Sequence, residues 1–160
     1  MKWVTREHPK IDRVACPWLI TRFLDPEPEF LFVAPDSVAK VAIETGAVPF
    51  DVPDVEFSHV GEQCSFDAFV KRYALTDAAL GELATIVRGA DTARLDLAPQ
   101  AAGLLAISLG LSRLFADDHD MLRHGMVVYD ALYAWCKSAH DEPHSWNPEV
   151  LRAQQLHSKN

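Results

Sequence analysis

Residues 55–69 read Val-Glu-Phe-Ser-His-Val-Gly-Glu-Gln-Cys-Ser-Phe-Asp-Ala-Phe, and their reading decides the fold. Val55 and Phe57 alternate with Glu56 and Ser58, the period of a half-buried strand over 55–60. Gly61 ends that strand. Ser65, with Asp67 in the first turn, opens a helix whose apolar face carries Phe66 and Phe69. The chain therefore passes here from sheet to helix. His59, Glu62 and Cys64 fall in the turn before the helix N-terminus, where backbone N–H groups are free and an anion is favoured. An imidazole, a carboxylate and a thiol so close together have the donor chemistry for a transition metal. The same residues equally make a plain turn with one His, a solvated Glu and a small buried Cys, because no fixed-spacing signature such as Cys-x-x-Cys is present.

Upstream, the pattern predicts a strand over 2–5 and an amphipathic helix over 11–24, with Ile11, Ala15, Leu19 and Phe23 recurring every four residues. Pro17 belongs in the first turn of that helix or bends it. Asp12 and Arg13 sit near its start. They read either as a first-turn acid with its neighbour or as a ligand-facing acid beside an anion-binding Arg. A buried strand over 30–33, a helix over 36–45 closed by Gly46 and a strand over 48–52 ending near Pro53 complete a small mixed sheet.

Downstream the chain is helical, with helices over 65–75 and 77–88 and a break over 89–94 that leaves Asp91 in a loop. Residues 98–115 are apolar almost all round, which predicts a central buried helix. Gly103 and Gly110 share one of its faces and cost helix propensity, roughly 1 kcal/mol each, for which close approach by another helix compensates. The last long helix starts at Asp117, with Leu122, Met126, Tyr129, Tyr133 and Cys136 as its core stripe. Asp130 lies beside that stripe, where a carboxylate must be paired, hydrogen-bonded or metal-bound. The tail carries Trp146, which suggests packing of its first part, and a short helix over 149–156. The reading is α+β: a small mixed sheet in the N-terminal third against a mainly helical remainder. It gives one domain over 1–146 and a polar tail over 147–160.

The 160 residues carry a net charge of -8, with the basic residues scattered, which argues against a phosphate-tracking surface and so against nucleic acid. No apolar segment suits a signal peptide or a membrane span. Three Cys, far apart and odd in number, fit a reducing cytoplasm. Serine-hydrolase, phosphate-loop and His-Glu-x-x-His patterns are absent. What remains is a scattered set at element ends: Asp12, Arg13, His59, Glu62, Cys64, Asp91, His119, Asp130 and His144.

Several long stretches carry a resemblance. They are KIDRVACPWLITRFLD over 10–25, FSHVGEQCSFD over 57–67, IVRGADT over 86–92, GLLAISLGLS over 103–112, YDALYAWC over 129–136 and EPHSW over 142–146. From about Trp3 to Trp146 the chain resembles the domain at the C-terminus of ChrB-type chromate-resistance proteins. That resemblance implies a regulator or accessory protein of chromate resistance, some relatives being fused to a rhodanese-like domain. It implies no residue-by-residue catalytic mechanism. The longer regulators carry an N-terminal region that this sequence lacks, which with the acidic charge points away from DNA binding. His8-x-x-x-Asp12 also resembles the opening of DHH-type manganese phosphoesterases, although Val14 stands where those enzymes carry a second acid.

Two main expectations follow. One is a cytoplasmic accessory protein in which His59, Asp91 and Asp130 hold a divalent transition metal (Mn, Fe or Zn), while Arg13 and Arg88 face chromate or another oxyanion. The other is a metal-dependent hydrolase of phosphoesterase type, or a redox enzyme, in which the metal lowers the pKa of a bound water and Asp12 or Glu62 is the base. A third reading is a regulatory module acting through protein partners. Cys64, His119 and His144 are secondary candidates, and a homo-oligomer is compatible with all three.

Overall fold

The computed structural model describes residues 1–142. Strand β1 (Lys2–Arg6) is central, flanked by β2 (Glu29–Val33) and β3 (Val48–Pro49), in the order β2-β1-β3. Both pairings are parallel, so the small sheet is wholly parallel where the sequence suggests a mixed one. The segment over 55–60, expected as a further strand, forms only single bridges, Phe50 to Phe57 and Val60 to Gln63. The reason is local. Pro53 cannot donate to a ladder, and Asp51 and Asp54 take left-handed backbone at φ 53° and 62°. Phe57 is nonetheless buried, stacked on Phe69 with ring centroids 4.1 Å apart. His59 thus sits in an irregular loop, not at a strand end.

Helix α1 (Asp12–Leu19) continues through a π turn (Ile20–Leu24). Pro17 lies inside α1 and removes one backbone donor, and the helix widens three residues later. Helix α2 (Val38–Thr45) ends on Gly46 in the left-handed conformation, as the sequence predicts. The two crossovers cover opposite faces of the sheet. Trp3 meets the large core with α1, while Val4 meets Val38 and Ala47 in a smaller one under α2. Helices α3 (Ser65–Arg72), α4 (Ala78–Asp91), α5 (Ala101–Leu114) and α6 (Asp118–Ser138) complete the described chain. The class is α+β.

Two expectations for the helices change. The all-apolar segment over 98–115 is not central: only Ala101, Leu104 and Ser108 of α5 are buried, and its other side faces outward. An apolar pattern all round a helix does not say how many of its sides the same chain covers. The close-approach glycines are others. A Cβ on Gly125 would lie 2.7 Å from Val14 Cγ1, and one on Gly89 would lie 2.9 Å from Ala101 Cβ, while Gly103 and Gly110 meet nothing within 4 Å. Trp146, His144 and the helix over 149–156 lie outside the described residues. No helix among the described residues is long and apolar enough to cross a membrane.

Candidate functional site

With the strand order 2-1-3 and helices on opposite faces, chain connections diverge at the carboxyl ends of β1 and β3. In α/β sheets that crevice is where ligands bind. The residues arriving there are acidic. Asp51 follows β3 by two positions, Asp12 opens α1 after β1, and Asp91 is the last residue of α4. Above them stands His59. Its Nε2 is 3.1 Å from Asp91 Oδ2, 3.4 Å from Asp51 Oδ1 and 3.6 Å from Asp12 Oδ2. Donor atoms of Asp12, His59 and Asp91 all lie within 4.8 Å of one another.

Each acid is held by the fold. Asp12, only 1% exposed, accepts from the backbone N–H of Ser65 at 2.6 Å and of Phe66 at 3.2 Å, so it caps the start of α3 from the start of α1. Asp91 accepts from the Asp12 N–H at 3.4 Å. Asp51 accepts from Ser65 Oγ at 2.9 Å and from Arg6 Nη2 at 3.0 Å, with Arg13 Nε at 3.4 Å. Backbone strain surrounds the set. Asp51 is left-handed, and Ile11, a β-branched residue immediately before Asp12, stands at φ 42° and ψ -96°. The Tyr129 hydroxyl donates to the Ile11 carbonyl at 2.9 Å and holds that turn in place. Such outliers cost of order 1–3 kcal/mol each and concentrate at functional sites.

Burial and mutual repulsion oppose the charged forms of Asp12 and Asp91. Burial, and then the charges of Asp91 and Asp51, push the Asp12 carboxyl well above the usual carboxylate range. Burial and Asp51 also push Asp91 up, against the opposing pull of His59. Asp91 stands moreover in the last turn of α4, the negative end of the helix dipole. A cation bound at this point would offset each of these effects. The spacing suits one: with metal–donor bonds of about 2.1 Å, adjacent donors lie roughly 3.0 Å apart in an octahedron and 3.4 Å in a tetrahedron. One imidazole with two or three carboxylates matches Mn, Fe or Zn. The His59 side chain is 41% exposed, so an ion has a route in. A cavity of about 340 Å³ lined by Arg6, Asp51, Ser58 and His59 opens beside it.

Of the residues singled out in the sequence, the structure brings together His59, Asp91 and Asp12, with Arg13 at their edge. It sends Asp130 elsewhere: that carboxylate accepts from Arg22 Nε and Nη2 at 2.9 and 2.8 Å and from the Trp18 indole at 2.8 Å. Arg13 donates to the Glu7 carbonyl at 2.9 Å and faces Asp51, while Arg88 faces Asp67 at 3.4 Å, so both guanidiniums are engaged by protein groups. Glu62 has a side chain 91% exposed, paired with Arg94 at 3.6 Å. Cys64 is buried, and burial followed by the charge of Asp12 pushes its thiol up, away from the thiolate a metal needs. His119 is exposed and packs edge-on against Phe32. His144 lies outside the described residues.

Sequence reasoning missed Asp51 and Arg6. The signal for Asp51 was there: a carboxylate inside the run Val-Pro-Phe-Asp-Val-Pro over 48–53 is out of place in a strand. Nothing local marks Arg6. Comparison with known proteins agrees with the motifs. The family model described as ChrB, C-terminal domain, matches residues 3–136. Protein ChrB of Cupriavidus metallidurans is 32% identical over 133 residues, 82% of this chain and 40% of that protein. The chain thus spans well under half the length of this curated relative. No solved structure matches it.

Proposed function

The chain belongs to the family of ChrB C-terminal domains, and from that premise we propose that it is a cytoplasmic accessory protein of chromate resistance that binds a divalent transition metal at Asp12, His59 and Asp91, with Asp51 alongside. The observation that carries this reading is the spacing of three carboxylate oxygens around one imidazole nitrogen, 3.1 to 3.6 Å, close to the edges of a coordination polyhedron. Two dipole-disfavoured or buried acids and two strained residues are then accounted for by one ligand. An oxyanion is the second part of the proposal. A cavity of about 460 Å³ lined by Glu62, Gln63, Arg88, Thr92 and Arg94 opens one residue beyond Asp91, and an anion there would exchange for the present partners of its guanidiniums, Asp67 on Arg88 and Asp96 and Glu62 on Arg94.

The geometry favours binding over hydrolysis. Of the two bases considered for hydrolysis, Asp12 would itself be a metal ligand and so not a free base, and Glu62 points to solvent against Arg94. Calorimetric titration of chelator-treated protein with Mn²⁺ and with Zn²⁺ tests the proposal. One ion per chain is expected, with His59→Ala and Asp91→Asn weakening it by on the order of a hundredfold and Asp130→Ala leaving it unchanged. Full-strength binding in His59→Ala overturns it. Turnover of a phosphoester by the metal-loaded protein would revive the hydrolase reading.

A further inference from the structure

Helix α5 is unusual for an outer helix. Ala102, Gly103, Ala106, Ile107, Leu109, Gly110 and Leu114 are all exposed, and Arg113 is its one charged residue. Ile107 is 49% exposed, Leu114 75% and, on the neighbouring α6, Val127 64%. Between α5 and α6 runs a groove of about 680 Å³ lined by Leu111, Leu114, Val128, Ala131 and Leu132. The two glycines of α5 weaken the helix, yet nothing lies within 4 Å of a Cβ built on either. The close approach that would justify them is absent within the described chain.

We propose that a second copy of this chain supplies it: two α5 helices pack across a two-fold axis with Gly103 and Gly110 at closest approach, Ile107 and Leu114 of each copy seated in the α5–α6 groove of the other. Three observations single out this occupant. A two-fold contact requires one patch to be complementary to itself, and here the exposed α5 wall of the groove, Ile107 and Leu114, is the ridge that would enter the groove of the other copy. Small residues that admit a helix backbone are best met by the same notch on an identical helix, as in tightly crossing helix pairs. The charge also fits. The chain carries -8 overall, yet α5 has no carboxylate, so two copies meet here without the repulsion they would suffer elsewhere. An anionic lipid surface is a poorer match, because a helix lying on one needs several flanking Lys or Arg and α5 offers Arg113 alone. None of Asp12, Asp51, His59 or Asp91 lies on α5, so the contact uses none of the proposed metal ligands.

Light scattering on the eluting full chain, over a range of concentrations, tests this. The expected result is twice the chain mass at high concentration, falling to the monomer on dilution. Gly110→Leu has open space within the chain, so the helical circular dichroism should be retained while the dimer dissociation constant rises by roughly tenfold or more. Gly110→Cys should give a symmetric disulfide dimer under mild oxidation, the native Cys16, Cys64 and Cys136 being buried. A chain that is monomeric at every concentration overturns the proposal. So does a dimer that is indifferent to Gly110→Leu and yields no cross-link in the Gly110→Cys variant, or a monomer that floats with anionic vesicles.

Discussion

At Asp91, burial, the charge of Asp51 and the end of a helix all oppose a negative charge. Its folded-state pKa is raised above the ordinary value, so the stability this group contributes is present below about pH 4 and is lost as pH rises through the folded value. Asp91→Asn removes the charge and keeps an oxygen for the Asp12 N–H. Metal-free Asp91→Asn should therefore be more stable than the wild type at neutral pH, with the advantage shrinking as pH falls toward the usual carboxylate range. Denaturant titrations at a series of pH values check this, and a variant less stable than wild type at neutral pH would contradict it. Asp130 is the opposite case. Arg22 holds its carboxyl below the usual range, and the buried Trp18 indole depends on it. Asp130→Ala should cost about 1–3 kcal/mol by leaving that N–H unpaired, while metal affinity stays the same. Loss of metal with Asp130→Ala would return this residue to the site.

At the scale of elements, the glycines divide by what faces them. A methyl group on Gly125 collides with Val14 Cγ1 at 2.7 Å, so Gly125→Ala should destabilise by about 1–3 kcal/mol and pull α6 from α1. Gly103→Ala meets open space in the chain and should raise the melting temperature of the dilute, monomeric protein, by up to about 1 kcal/mol in stability. Thermal melts of both variants separate the two. The sequence could not rank them, since Gly125 sits in an ordinary amphipathic pattern whereas Gly103 and Gly110 stand out in an apolar one. Periodicity and turn chemistry made β1, β2, α2 and the start of α3 legible. They failed where a non-local term decides. The segment over 55–60 alternates like a strand, yet left-handed Asp51 and Asp54 limit it to single bridges. Helix α4 runs on through Gly89, because Gly89 packs against Ala101 of α5, and this puts Asp91 on the helix, not in a loop. At the site, His59, Asp91 and Asp12 were legible as chemistry at element ends. Their convergence with Asp51, and the departure of Asp130 to Arg22, depend on strand order and helix packing that no local pattern encodes.

For the whole molecule, the acids at the head of α1, after β3 and at the end of α4 tie together segments that would otherwise repel, and His59 bridges all three. A cation bound there would find no preformed site in the unfolded chain, so its binding free energy would add to folding stability. At a hundred times the dissociation constant the gain is about 2.7 kcal/mol. For a domain of this size that corresponds to a rise of roughly 5–10 °C in melting temperature. The sign with pH follows from the site's own carboxyls. Asp12 and Asp91 hold protons to higher pH than ordinary acids, and those protons compete with the metal. The metal-induced rise should thus be largest at neutral pH and above, and shrink through the mildly acidic range. In His59→Ala the gain should shrink to about 0.4 kcal/mol or less at the same ion concentration. Calorimetric melts with and without Mn²⁺, across that range, read both effects at once. A melting temperature that ignores Mn²⁺ and Zn²⁺ at neutral pH would mean that His59, Arg6 and Arg13 hold the three carboxylates together without a metal, and that the crevice at the carboxyl ends of β1 and β3 serves the fold instead of a ligand.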